Sequence, residues 1–404
     1  MRQDQEPAEQ GTAPSRSRRR ALPLVAAVAI SVAIALPVGA LLTGVTSATT
    51  APLPGADSPA AINPPGEAGF GVFYVNGVRH VSNWSDNRDN DDQGLPTKGR
   101  TSTYNQARIT YLRPEHPTGP NIVLVPGYGL AADIYMTTPD IRQGWAQMLY
   151  EAGYPVYLLS PPDRGESMPI DQVNKCKAGA NPPKRCWGQG MKAYYGQVGR
   201  ATLENSWPTW RFGPKFGVPY ANSQFPSLPL TQNYVEQFGA SFVPYLGTSD
   251  IAMMNNTIMN DLTEDSLKAL LNEIGPSVIV LHSAAGTGGF NAAITDSRMV
   301  RAVVAIETTK CPPAGIGGVS PMAATPFLGI WGDHIKPDAP GGHWERRESC
   351  QKMAASINRT GLAPAQVISL PQKGIRGNSH MMMQDRNNAQ VLGVITEWLA
   401  AHGV

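Results

Sequence analysis

Charge is scarce in this chain and evenly signed. Charged residues make up 16% of the 404, against ~25% in an average soluble protein. Lys+Arg 33 against Asp+Glu 31 leaves a formal charge of +2. No basic field exists to attract nucleic acid. A mean hydropathy of −0.22, with one long apolar run, excludes a polytopic membrane protein. No C-x-x-C pair and no Cys/His ligand spacing occurs, which leaves a zinc site without support in the sequence. Glycine (41) and proline (36) are abundant but follow no period, so loops are many and a collagen-like rod is excluded.

The one long apolar run sits at the N-terminus. Arg18, Arg19 and Arg20 precede an uncharged stretch from Ala21 to about Ala48. A basic segment before an apolar one reads as an export signal over residues 1–48, with Thr46-Ser47-Ala48 offering small residues for cleavage. The arginine cluster loosely matches a twin-arginine signal. The alternative is an uncleaved anchor, because the run is long enough to span a bilayer. Pro37 and Gly39, which interrupt it, favour cleavage. Residues 1–48 hold five Arg and three acids, so the remainder carries 28 of each sign. Residues 49–69, rich in Pro, Ala and Gly, read as a linker to a folded part over 70–404.

Export changes how the four cysteines read. Outside the cytosol an even count suggests disulfides, and four cysteines allow three pairings. Cys176 and Cys186 are ten apart in a Pro/Gly-rich stretch, so a local loop is the simplest choice, and Cys311–Cys350 follows by elimination.

Hydrophobic patterning sets the fold class. Residues 72–75 and 78–81 flank Asn76-Gly77, a hairpin signal. Residues 105–113 read as a further strand. Buried-type strands follow at 122–125, 154–159, 278–281, 302–306 and 327–331, with helices at 141–152, 262–274 and about 387–401. Apolar strands alternating with helices mean a mostly parallel sheet covered on both faces. The interval between 159 and 278 is too long for a simple crossover. It carries 13 of the chain's 30 aromatics, and its part from about 165 to 255 reads as a cap over the C-terminal edge of the sheet. An insertion with its own small core is the other reading.

Chemistry points to Ser283. The strand 278–281 runs into His282-Ser283-Ala284-Ala285-Gly286, where small residues and a helix start surround a serine. A nucleophile elbow needs this, because the turn is strained and the helix N-terminus favours developing negative charge. Both glycines of the usual G-x-S-x-G are replaced, by Leu281 and Ala285. The strand 122–125 ends in Pro126-Gly127-Tyr128-Gly129, where an oxyanion loop would lie. The backbone N–H groups of Tyr128 and Ala284 are its candidate donors. Of the histidines after Ser283, His402 is nearly terminal, His343 sits in a Pro/Gly-rich loop, and His334 follows a strand-end Gly332-Asp333 where acids are usual. His380, in a loop before the last helix, is the candidate base.

The segment Gly377 to Asn388 (GNSHMMMQDRNN) is closely similar to its counterpart in the secreted bacterial esterases of the "713" type, which are α/β-hydrolases. The resemblance spans roughly 120–400. It extends to Val304–Glu307, Gly332–Ile335, the His-Ser elbow, Thr137–Asp140 and Gly144-Trp145. It departs at Tyr128-Gly129, where that family has a Cys-Cys pair. The resemblance implies an α/β-hydrolase fold with Ser283 as nucleophile, His380 as base and Glu307 as acid, and it is compatible with a homodimer. The acid has two candidates, each ending a strand. Asp333 lies on the strand more often used, but immediately after Gly332 rather than about three residues on. Glu307 directly follows its strand, and its longer side chain can reach across.

The resulting expectation is a secreted or periplasmic serine esterase acting on a small-molecule ester through an acyl-enzyme, with no metal or organic cofactor. If the N-terminal segment is uncleaved, the enzyme is membrane-anchored and faces outward. A lactonase or secreted acyltransferase with the same three residues is the enzymatic rival. A non-catalytic binding protein of hydrolase fold is the rival from another class.

Overall fold

The computed structural model describes residues 68–81, 101–162, 198–199, 201–227, 233–243, 245–246 and 257–404. The export segment expected at 1–48, most of the linker, and Cys176 and Cys186 lie outside the described residues.

Twelve strands are described: β1 (Gly69–Val75), β2 (Val78–Val81), β3 (Thr101–Tyr104), β4 (Ala107–Arg113), β5 (Asn121–Val125), β6 (Val156–Ser160), β7 (Val198–Gly199), β8 (Tyr245–Leu246), β9 (Ser277–His282), β10 (Val300–Ile306), β11 (Phe327–Trp331) and β12 (Ala365–Ser369). The α-helices among the described residues are α1 (Trp145–Glu151), α2 (Leu203–Thr209), α3 (Tyr234–Ala240), α4 (Thr257–Ile274), α5 (Gly286–Thr295), α6 (His343–Thr360) and α7 (Asn388–Ala401). Eight strands form one sheet in the order β1-β4-β6-β5-β9-β10-β11-β12. The β1–β4 and β4–β6 pairs are antiparallel, and every pair from β6 to β12 is parallel.

Alternation along the strands splits the core in two, because successive side chains leave opposite faces. Ile122, Leu124, Val278, Val280, Val304 and Ile306 join one cluster with residues of α1 and α7. Val123, Val125, Ile279, Leu281, Val303 and Ala305 join the other with residues of α4, α5 and α6. Strands buried on both faces read as unbroken Val/Ile/Leu runs, and this made them visible in the sequence. This is the α/β-hydrolase arrangement, with β9, which leads into Ser283, near the middle of the sheet.

The structure corrects some local readings. Asn76 adopts the left-handed conformation its turn requires, with φ 59°. The strands on either side of it do not pair as a hairpin, however. β1 pairs with β4 and β2 with β3. Burying Phe73 and Val75 against Ile109 and Ala107 in the main sheet outweighs the local turn preference. The helix expected over 141–152 begins only at Trp145, because residues 137–143 fold back through a Thr137–Gln143 bridge and Ile141 takes φ 62°. Helix α6 and edge strand β12 were not anticipated. α6 is too polar to show a strong apolar stripe, and β12 is short and only partly buried.

Part of the long interval packs onto the sheet. Trp207, Phe212, Phe225 and Phe238 are fully buried in the cluster that also holds Met381, Met382 and Met383. Phe212 and Phe225 stack with centroids 3.8 Å apart. Leu130, in the loop after β5, bridges to Phe242.

Cys311 and Cys350 are disulfide-bonded, tying the segment after β10 to α6 across 39 residues. Closing a loop of that length contributes about 4 kcal/mol in the chain-entropy account. Replacing both cysteines by Ala is expected to lower unfolding free energy by about 2–4 kcal/mol, read as a lower denaturant midpoint with a steeper slope, because the unlinked denatured chain exposes more surface.

Candidate active site

Ser283 stands at the end of β9 with φ 53°, opens a single turn over Ser283–Ala285, and leads into α5. A non-glycine residue there is strained, and it is partly exposed between buried neighbours. Leu281, unexpected in the pattern, points into the core. A Cβ on Gly289 of α5 would lie 2.3 Å from its Cδ2, so that glycine supplies the room. The loop after β5 lies directly against the serine. A Cβ on Gly127 would meet Ser283 Cβ at 2.7 Å and Ser283 Oγ at 3.2 Å. Tyr128 and Ala284 each follow one of these touching residues. Ser283 Oγ makes no hydrogen bond among the described residues, and such contacts are often loose before substrate binds.

Glu307 is the first residue after β10, fully buried, with φ 42°. His380 Nδ1 lies 2.8 Å from its Oε2. The Gly332 N–H donates to Oε1 at 2.7 Å, and Arg211 Nη2 reaches both oxygens, at 2.5 and 2.6 Å. His343 Nδ1 is 3.4 Å from Oε2. Burial alone would raise this carboxyl, but the Arg211 charge and the His380 bond hold it well below the usual range. Burial pushes His380 down against the pull of Glu307, which favours the neutral imidazole. His343 is pushed down further, by burial and then by Arg211 and His380.

Asp333 is engaged elsewhere. Its carboxylate accepts from the N–H groups of His334 and Gly377 and from Asn222 Nδ2. Burial raises it, but these bonds win and leave it lowered. Its role in the described contacts is to hold the loop that carries His380.

The histidine before the serine has a visible purpose. The Gly127 N–H donates to His282 Nδ1, which leaves the proton on Nε2, and Nε2–H donates to the His380 carbonyl at 3.1 Å. One buried ring thus links the loop after β5, the serine turn and the His380 loop. Asp385 anchors the same loop, accepting from the Ser379 N–H, Ser379 Oγ and Asn378 Nδ2. Burial pushes its carboxyl up to about 7 against those bonds.

Sequence reasoning missed two neighbours of Glu307. Arg211 had no motif around it. His343 looked like a loop residue but opens α6, with Nε2 3.1 Å from the Thr209 carbonyl and its ring 4.7 Å from that of His380. Glu307, His343 and His380 form a group with donor atoms close enough to contact one ion. Arg211 already neutralises that carboxylate, and a divalent cation there would face the guanidinium at close range. The set fits a proton-holding cluster better than a cation site.

Sheet order, strand-end serine and a histidine loop before the last helix define an α/β-hydrolase. No family model matches the chain. A novel bacterial esterase solved at atomic resolution is similar over 87% of this chain and 100% of its own, at 27% identity and a TM-score of 0.66. The probable secreted lipase phiG of a fungal species (strain ATCC 74256) is 23% identical over 330 residues, 71% of this chain and 83% of that protein. These likenesses support a carboxylic ester hydrolase of the α/β-hydrolase superfamily.

The raised Asp385 has a measurable consequence. Between about pH 4 and 7 the folded chain holds a proton on Asp385 that the unfolded chain has lost, so this group costs stability as pH rises through that window. His343 and His380 act in the opposite sense, and they do so in wild type and variant alike. Asp385→Asn is expected to gain stability relative to wild type as pH goes from 4 to 8. Urea titrations of both proteins across that range check it, and a constant gap would contradict it.

Proposed function

We propose that the chain is an exported serine carboxylic-ester hydrolase working through Ser283, His380 and Glu307. The observation that carries this reading is the 2.8 Å contact between His380 Nδ1 and Glu307 Oε2. It fixes the tautomer that leaves Nε2 free to take the serine proton. Ser283 attacks the ester carbonyl, and the oxyanion rests on the backbone N–H groups of Tyr128 and Ala284. His380 then protonates the departing alcohol, and water, activated by the same imidazole, releases the acid from the acyl-enzyme. Export is supported by the basic and apolar N-terminal sequence, by the Cys311–Cys350 bridge and by the secreted lipase that the chain resembles.

The interval between β6 and α4 acts as the cap that chooses the ester. Trp207 and Trp210, equivalent in the sequence, have different places. Trp207 is fully buried among Phe212, Phe216 and Phe225. Trp210 is partly exposed and tilts over His380, with centroids 6.2 Å apart. Trp210→Ala is expected to change the ranking of esters by acyl and alcohol size on a folded protein. Trp207→Ala is expected to lose about 3–5 kcal/mol of stability with the ranking kept. An ester panel run beside thermal unfolding separates the two outcomes.

A fluorophosphonate probe tests the mechanism. It should label wild type at Ser283 and leave Ser283→Ala unlabelled, with kcat reduced about 10⁶-fold in that variant. Glu307→Gln should lose about 10⁴-fold in kcat, and Asp333→Asn far less. A reversed order of the last two, on folded protein, would return the acid role to Asp333. An acceptor alcohol that diverts the acyl group faster than water would favour the acyltransferase reading. Absence of labelling in the wild type would favour a binding protein.

A further inference from the structure

We infer that Arg211 is a positioning residue of the reaction, holding Glu307 on His380 and making turnover depend on the seating of the segment 201–227 that carries it. This rests on the reading of Ser283, His380 and Glu307 given above.

Three consecutive residues of that segment each meet one polar member of the cluster. The Thr209 carbonyl is 3.1 Å from His343 Nε2. The Trp210 carbonyl accepts the His380 N–H at 2.9 Å. Arg211 binds both oxygens of Glu307 through Nη2, and its Nε donates to the Asp333 carbonyl at 2.8 Å. Its backbone is turned to φ 61° to do so, and its side chain is 4% exposed. The segment is held by Trp207, Phe212, Phe225 and Phe238 beneath it. It belongs neither to the strands that end at Ser283 and Glu307 nor to the loop that carries His380.

A purely structural account fits poorly. Burying a guanidinium against a carboxylate costs desolvation that apolar residues of the same volume would avoid, so the pair is weak as a stabiliser. It is well suited to fixing a geometry. A carboxylate on a three-bond side chain has several rotamers, and Arg211 with the Gly332 N–H selects the one that meets Nδ1. The Arg211 charge also opposes protonation of His380, which keeps the base in its working form at lower pH. Among the described residues, the other charged or titratable groups around the pair are His282, whose ring lies 4.6 Å from that of His380, His343, Arg346 and Arg347 of α6, Asp333 and His334 after β11, and Asp385 beyond the histidine.

The test compares Arg211→Met and Arg211→Lys in the full chain. We expect Arg211→Met to lower kcat about 10²-fold with KM little changed, and to move the acid limb of the kcat/KM profile to higher pH. Arg211→Lys, which keeps the charge, should recover part of kcat and return the limb toward wild type. If Arg211→Met does not fold, Arg211→Gln takes its place as the neutral polar variant. A limb that stays put in both variants, or equal kcat in the Lys and neutral variants, overturns the inference in favour of a structural ion pair. Fluorophosphonate labelling of wild type keeps this failure separate. If wild type labels at Ser283 and the limb does not move, Arg211 alone has been misread. If wild type does not label, the reading of the site itself has failed.

Discussion

A carboxylate with no exposed surface keeps its charge only when donors surround it, and Glu307 imposes that demand on much of the molecule. Its donors and close neighbours come from four places in the chain. Arg211 arrives from the interval after β6, the Gly332 N–H from the end of β11, His343 from the first turn of α6, and His380 from the loop before α7. Each of these segments has its own connection to the sheet, so the carboxylate acts as a common endpoint for them. Losing one donor would leave the others facing an under-compensated charge, and that coupling makes the cluster behave as a unit.

The serine is tied to the same unit through backbone groups. His282 spans from the Gly127 N–H to the His380 carbonyl, and the Thr309 N–H, two residues beyond Glu307, donates to the Ser283 carbonyl. The turns at Ser283, Glu307 and Arg211 all have positive φ, a conformation that costs about 1–3 kcal/mol each for residues with a side chain. Their convergence on one spot shows where stability has been given up for geometry. The compensation lies in the two cores on either side of the sheet, where β5, β9, β10 and β11 are almost wholly buried.

Those buried strands were also the most legible part of the sequence. Unbroken apolar runs located β5, β6, β9, β10 and β11 to within a few residues, the small residues around the strand-to-helix turn marked the serine, and chain order pointed to the histidine loop. What stayed hidden had a physical reason. The Asn76-Gly77 signal was correct about the local backbone and wrong about pairing, because pairing is decided by which core the flanking side chains reach. Helix α6 carried too weak an apolar stripe to be seen, so His343 was assigned to a loop. Arg211 is invisible to any local pattern, since its partner lies 96 positions away and only the fold brings them together.

Reach separates the contacts of Glu307 from those of Asp333. β10 lies between the serine strand β9 and β11, so a residue at its end faces both neighbours. Glu307 extends far enough to take the Gly332 N–H at the end of β11 with one oxygen and His380 Nδ1 with the other. An aspartate there would fall short by one methylene. Asp333 stands one residue past Gly332, and its shorter carboxylate is drawn back to the N–H groups of His334 and Gly377. The two acids therefore divide the work. Asp333 shapes the loop entering at Gly377, Asp385 closes it from the other side of His380, and Glu307 meets the imidazole that the loop presents. A carboxylate at the β10 end leaves the β11 end free for loop organisation, and it lies within range of the Arg211 guanidinium.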